Sequence, residues 1–105
     1  MPVNNFLGRQ IDVNDEGFMT DPSQWDEALA EVLAKNAGIP EMTDAHWKAI
    51  RFAHQDLMEN GASPTLNRMA KVGGFEIKEL FKLFPGKAAK KISYIAGGTK
   101  PTACV

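Results

Sequence analysis

Cysteine occurs once in the 105 residues, and that scarcity excludes whole classes of chemistry. An internal disulfide needs a second thiol, and Cys-rich zinc or iron-sulfur sites need several. Histidine is nearly as scarce. His46 and His54 fall eight residues apart on what reads as one helix. The helical rise separates them by about 12 Å, too far to grip one metal ion. Long apolar runs are missing as well, none approaching the roughly 18 residues that suggest a membrane span. The opening MPVNNFLGRQIDVNDEGF is broken by Asn, Gly, Arg and Asp, unlike the unbroken apolar run of a signal peptide. These absences point to a cytoplasmic protein without membrane contact. The chain is also too short for a full barrel enzyme or a complete dinucleotide-binding fold.

What is present suits one small globular domain covering residues 1–105, with 44% hydrophobic residues to form its core. The formal net charge of −1 hides a polarised chain. Residues 1–63 hold eleven acidic against four basic side chains, and residues 64–105 hold two against eight. A basic carboxyl-terminal third suits nucleic acid, an acidic partner protein, or stabilisation of a thiolate.

Turn-rich Asn14-Asp15-Glu16-Gly17 lies among short β-like runs from Phe6 to Met19 and predicts an amino-terminal hairpin. Asp21-Pro22 then reads as the cap and first position of a helix carrying Trp25, Leu29, Val32 and Leu33 and ending at Gly38. A second helix is capped by Thr43 and runs to Asn60-Gly61. Ser63-Pro64 opens a short third, Phe75 or Glu76 to Phe84 forms a fourth, and Lys87 to Ala96 a basic fifth. The expected core comprises Trp25, Leu29, Val32, Leu33, Trp47, Ile50, Leu57, Leu66, Met69, Leu80, Phe81, Phe84, Ile92 and Ile95. Residues 97–105 lack periodicity and read as a flexible arm, with Gly97-Gly98 as its swivel and Pro101 stiffening the stretch that presents Cys104.

Cys104 is the penultimate residue, and chain ends are commonly mobile unless docked. Its reactivity depends on the thiolate fraction, which nearby cations raise. Lys100 is four residues away, and Lys87, Lys90, Lys91 and Arg68 could surround a docked arm, while the terminal carboxylate opposes them. Composition alone leaves a bland terminal cysteine and a functional one equally open. His54 reads either as a base near the thiol or as a half-exposed helical residue. His46 is expected on the surface of a first helical turn, and Trp47 in the core.

The tail LFPGKAAKKISYIAGGTKPTACV, residues 83–105, resembles the carboxyl-terminal signature of the DsrC/TusE family of sulfur carriers. Asp15-Glu16-Gly17-Phe18 followed by Trp25 is similar to that family's hairpin and first helix, and Met42-Thr43-Asp44-Ala45-His46-Trp47 to its Leu-Thr-Glu-Glu-His-Trp. The resemblance implies a mainly α fold, a small orthogonal bundle of about five helices with an amino-terminal hairpin. It also implies that Cys104 accepts sulfane sulfur as a persulfide and passes it on, without metal or organic cofactor. Implied partners are a Tus/DsrEFH-like donor complex and, downstream, a tRNA-thiolating enzyme or a sulfite reductase.

Several positions depart from the family pattern. The dissimilatory DsrC proteins carry a second cysteine eleven residues before the penultimate one, where this chain has Ser93, and their segment before LFP is longer. Both differences favour the single-thiol TusE-like branch, which relays sulfur toward 2-thiouridine in transfer RNA. Gly98-Thr99 replaces a usual Leu-Pro, and Asn67 occupies the slot of the family's PxxR arginine, with Arg68 next to it. Two other readings stay open at this point: a DNA-binding helix-turn-helix over Ser63 to Phe84, joined at Gly73-Gly74, and a gamma-type partner subunit of a sulfite reductase.

Overall fold

The computed structural model describes residues 3–61 and 63–98. It opens with β1 (Val3–Phe6) and β2 (Arg9–Asp12), an antiparallel pair whose register matches Val3 with Asp12 and Phe6 with Arg9. Leu7 and Gly8 join them at φ of 55° and 74°, the two positive angles that a type I′ turn requires. The hairpin turn is therefore Leu7-Gly8 rather than Asn14–Gly17. That second turn does form, with Asn14 Oδ1 accepting from the N–H groups of Glu16 and Phe18, but it closes only the single bridge between Val13 and Met19.

Five α-helices follow among the described residues: α1 (Glu27–Asn36), α2 (Asp44–Asn60), α3 (Leu66–Lys71), α4 (Ile77–Leu83) and α5 (Ala88–Ile95). This is the mainly α, hairpin-led architecture that the sequence implies. Asp21 and Pro22 start only a single 3-10 turn, Pro22–Gln24, and Trp25 is extended. The helix proper begins after a second cap, Asp26. Its carboxylate accepts the Leu29 N–H at 2.8 Å and pairs with Arg9 at 3.2 Å. Similarly, Thr65 rather than Ser63 caps α3, accepting from the Arg68 N–H at 3.1 Å.

The Leu29 N–H, outweighing a small desolvation penalty and aided by Arg9, holds the Asp26 carboxyl below its ordinary range. A depressed folded-state pKa gives stabilisation that is present above the unfolded value and lost as pH falls through the folded one. Asp26→Ala is expected to cost about 1 kcal/mol at neutral pH, the usual value of a lost cap, with the exposed Arg9 pair adding little. Urea unfolding in acid should show the gap between the two proteins closing.

The core lies around α5, which touches α1, α2 and α4. Ala88, Ala89 and Ala96 are buried there beside Ile92 and Ile95, and these small side chains let neighbouring helices approach closely. Leu29 and Leu33 from α1, Ala49, Ile50 and Ala53 from α2, Met69 from α3, and Leu80 and Phe84 complete it. Ile11, Val13 and Met19 of the hairpin region belong to the same core, although the periodicity of the helices gives no sign of them. Trp25, Val32 and Trp47 pack against it partly buried, whereas Phe81 is 39% exposed and lies outside it.

His46 is buried, contrary to its expected surface position. Its Nδ1 accepts the Thr43 N–H at 3.1 Å, completing a reciprocal cap of α2. That fixes the proton on Nε2, which donates to the Leu83 carbonyl at 2.8 Å. The imidazole thus ties the start of α2 to the end of α4. Among the described residues no helix is long and apolar enough to cross a membrane.

Candidate functional site

Of the residues the sequence nominates, Lys100, Pro101 and Cys104 lie outside the described residues, as does the rest of 99–105. The structure describes the residues immediately before that segment. After α5 the Gly98 N–H donates to Ser93 O at 2.9 Å and the Gly97 N–H to Tyr94 O at 3.4 Å, with Gly97 at φ 86°. These two bonds form a Schellman cap, whose left-handed position glycine fills without steric cost.

Side chains from two other segments cover the carbonyls at this helix end. Trp25 Nε1–H donates to Ile95 O at 2.7 Å, and His54 of α2 bonds Ala96 O through Nδ1 at 2.8 Å. A carbonyl only accepts, so Nδ1 carries the proton. The two rings stack with centroids 4.0 Å apart and planes 20° from parallel.

Both glycines are buried. A Cβ at Gly97 would stand 2.8 Å from Trp25 Cδ1, and one at Gly98 would run into Ser63 Oγ and lie 3.3 Å from Leu57 Cδ2. Gly97-Gly98 is therefore no swivel. The expectation fails because paired glycines also permit close packing, and here they allow the backbone to lie against Trp25 and Ser63.

Two buried hydroxyls at this helix end, Ser63 Oγ and Ser93 Oγ, have no hydrogen-bond partner among the described residues. Ser93 is fully buried. An unpaired buried hydroxyl is a liability, and replacing it with an apolar group of similar shape is neutral or favourable. Ser93→Ala is expected to leave stability unchanged or raise it by up to about 1 kcal/mol, read by chemical denaturation.

Arg68 sits one helix away. Its Nε and Nη2 donate to the two carboxylate oxygens of Asp56, both at 2.8 Å, and Asn60 Nδ2 adds a third donor at 2.8 Å. Those bonds to Asp56, reinforced by its charge, raise the guanidinium's pKa above its usual value. Arg68 thus joins α3 to a buried carboxylate on α2 rather than to the end of α5.

Lys87, Lys90 and Lys91 border a groove of about 310 Å³ with Glu16, Phe18, Asn36, Ala37 and Tyr94. Lys91 Nζ donates to Pro85 O. On α4, the exposed positions Lys78 and Lys82 alternate with exposed Glu79, and Glu76 precedes them. The acidic neighbours cancel the positive field that a helix needs to track phosphates, which weakens the helix-turn-helix reading.

A model of the family described as DsrC like protein matches residues 5–105, including the tail with Cys104. The chain belongs to this DsrC-like family. Sulfurtransferase TusE of Shigella dysenteriae serotype 1 is 35% identical over 107 residues, covering 95% of this chain and 97% of that protein. Two solved structures share the fold across 99% of this chain. The crystal structure of dissimilatory sulfite reductase I (DsrI) aligns with TM-score 0.82 at 31% identity over 100% of its chain. The solution structure of the Pyrobaculum aerophilum DsrC/gamma subunit of dissimilatory sulfite reductase aligns with TM-score 0.78 at 32% identity over 95% of its chain.

The family resemblance of the tail and of the hairpin and second-helix segments is thus established. What sequence reasoning missed in this DsrC-like chain is the pairing of Trp25 with His54. Helical spacing places Trp25 in the core and leaves His54 either a base near the thiol or a half-exposed helical residue, and no spacing rule links residues in separate segments. The available signal was weak: two glycines directly after a helix call for a flat neighbour as readily as for a hinge.

Proposed function

We propose that this chain is a sulfur carrier, in which Cys104 takes up sulfane sulfur as a persulfide and hands it to a partner thiol. The observation that carries this reading is the family match running through residue 105, which brings the chain's single cysteine within the family's pattern. The relative named sulfurtransferase, alike over nearly the full length of both chains, supports the same chemistry.

In the proposed exchange the Cys104 thiolate attacks the outer sulfur of a donor persulfide. A new sulfur–sulfur bond forms, the donor's own S–S bond breaks, and the donor leaves as a thiolate. One neutral sulfur atom moves and no net electrons are exchanged, so the step requires no redox cofactor. Lys100 would favour the attacking thiolate, and Gly97 and Pro101 would shape the segment that presents it. With one thiol, the loaded chain cannot expel sulfur by closing an internal disulfide. An external thiol, in this reading that of a partner protein, must therefore take it.

The donor in this reading is a Tus/DsrEFH-like complex and the acceptor a tRNA-thiolating enzyme, so that the sulfur ends in 2-thiouridine of transfer RNA. A second reading, a gamma-type partner of a sulfite reductase, is favoured by the Pyrobaculum aerophilum neighbour and calls for stable co-purification with a reductase.

The carrier reading is tested by incubating the purified chain with thiosulfate-loaded rhodanese or glutathione persulfide and measuring intact mass. The wild type is expected to gain the mass of a sulfur atom and lose it when a thiol acceptor is added, while Cys104→Ala gains none. A wild-type thiol left unchanged by both donors overturns the reading.

A further inference from the structure

We infer that Trp25 and His54 are positioning residues for the sulfur-bearing segment: by clamping the end of α5 they set the direction in which residues beyond Gly98 leave the bundle. The inference rests on the carrier reading above and adds to it the means of presenting the thiol to a protein partner.

The last carbonyls of a helix have no partner within it and usually face water or a local cap. Here Ile95 O and Ala96 O each accept from a ring, one preceding α1 and the other on α2. Because the rings stack at 4.0 Å, neither can shift without disturbing the other. Three segments distant in sequence therefore meet at one helix end. Gly97 lies against the Trp25 indole and Gly98 against Ser63, so the same place is held from both sides.

Core packing accounts for part of the Trp25 ring but not for the two hydrogen bonds to the end of α5. Trp25 and His54 are only half-buried, whereas the largest fully buried side chains of α1 and α2 are Leu29, Leu33 and Ile50. The indole N–H of Trp25 and the Nδ1–H of His54 are both directed to backbone carbonyls just before Gly97.

A fixed origin matters for a group transfer between proteins. Cys104 is six positions beyond Gly98 with five residues between them, a reach of at most about 22 Å. Fixing the direction of the backbone at Gly98 restricts where within that reach the thiol can stand. A partner can then meet it from one side, and less orientational freedom is lost during the encounter. Small reagents approach from any direction and gain nothing from this restriction.

That difference supplies the test. His54→Phe keeps a ring to stack on Trp25 but removes the donor to Ala96 O, and Trp25→Phe removes the donor to Ile95 O. His54→Asn places an amide N–H near the position of Nδ1–H and serves as the conservative rescue. Circular dichroism checks folding, and using substitutions at two sites keeps the question open to a result should one variant unfold.

Each Phe variant is expected to accept sulfur from thiosulfate-loaded rhodanese about tenfold more slowly than wild type. Alkylation of Cys104 by iodoacetamide should stay at the wild-type rate. Exchange of the Gly98 amide should accelerate while that of Ala53 in α2 does not, and His54→Asn should recover much of both losses. Wild-type transfer rates in both folded Phe variants, or transfer and alkylation falling together, overturn the positioning role. A wild type that takes up no sulfur from any donor overturns the carrier reading instead, and the inference with it.

Discussion

Serine at position 104 is expected to reduce sulfur uptake to the level of a protein-free blank. A serine hydroxyl is barely ionised near neutral pH and is a poor nucleophile without an adjacent base, whereas a free thiol is already a few per cent thiolate. The chain has no other cysteine to substitute for it. Loss should therefore be complete rather than graded, unlike the roughly tenfold slowing expected of the clamp variants. Radiolabelled thiosulfate, passed through rhodanese to wild type and Cys104→Ser side by side, gives the comparison. Label retained by the serine variant under non-reducing conditions would place the acceptor elsewhere.

The largest effect on stability is expected at Phe84. Its side chain is fully buried, and its ring meets His46 edge to face at 5.2 Å. Truncation removes that buried surface and leaves a cavity, so Phe84→Ala should cost about 3–5 kcal/mol. A domain of this size has roughly 5–15 kcal/mol in total, and the melting temperature should fall by more than about 10 °C. Phe81→Ala, three residues earlier, should cost less than about 1 kcal/mol because that ring is 39% exposed. Calorimetry on the two variants separates these outcomes.

The contrast between those phenylalanines also marks where sequence periodicity stops being informative. Helical spacing puts Phe81 and Phe84 on one face, but α4 ends at Leu83 and Phe84 turns away at φ −126° and ψ 72°. Rotation counted along a helix no longer applies beyond its last residue. Elsewhere, helices were legible where one cap preceded one apolar stripe, as at Thr43 for α2. The sequence reading starts α1 at Asp21-Pro22, yet Asp26 also has cap chemistry and is the residue that caps the helix. Leucine is an unusual residue at a positive φ, so Leu7-Gly8 carries little turn signal beside Asn14–Gly17, although it forms the hairpin turn.

Functional residues divided in a similar way. Cys104 stood out through its position and the tail motif, both written along the chain. Part of that motif proves to be architectural: Leu83 O accepts from His46, Phe84 fills the core, and Pro85 O accepts from Lys91. Trp25 and His54 could not be linked before folding, since their relation exists only through the end of α5. Arg68, one position from the family's arginine slot, pairs with a buried aspartate that no local pattern identifies as its partner.

Fragmentation of the intact protein in the mass spectrometer, after loading from thiosulfate-charged rhodanese, tests the central claim most directly. Every carboxyl-terminal fragment containing Cys104 is expected to be heavier by one sulfur atom, and this mass to disappear when a thiol acceptor is added. Unmodified fragments across Cys104, or added sulfur confined to fragments that lack it, would show that Cys104 is not the sulfur carrier.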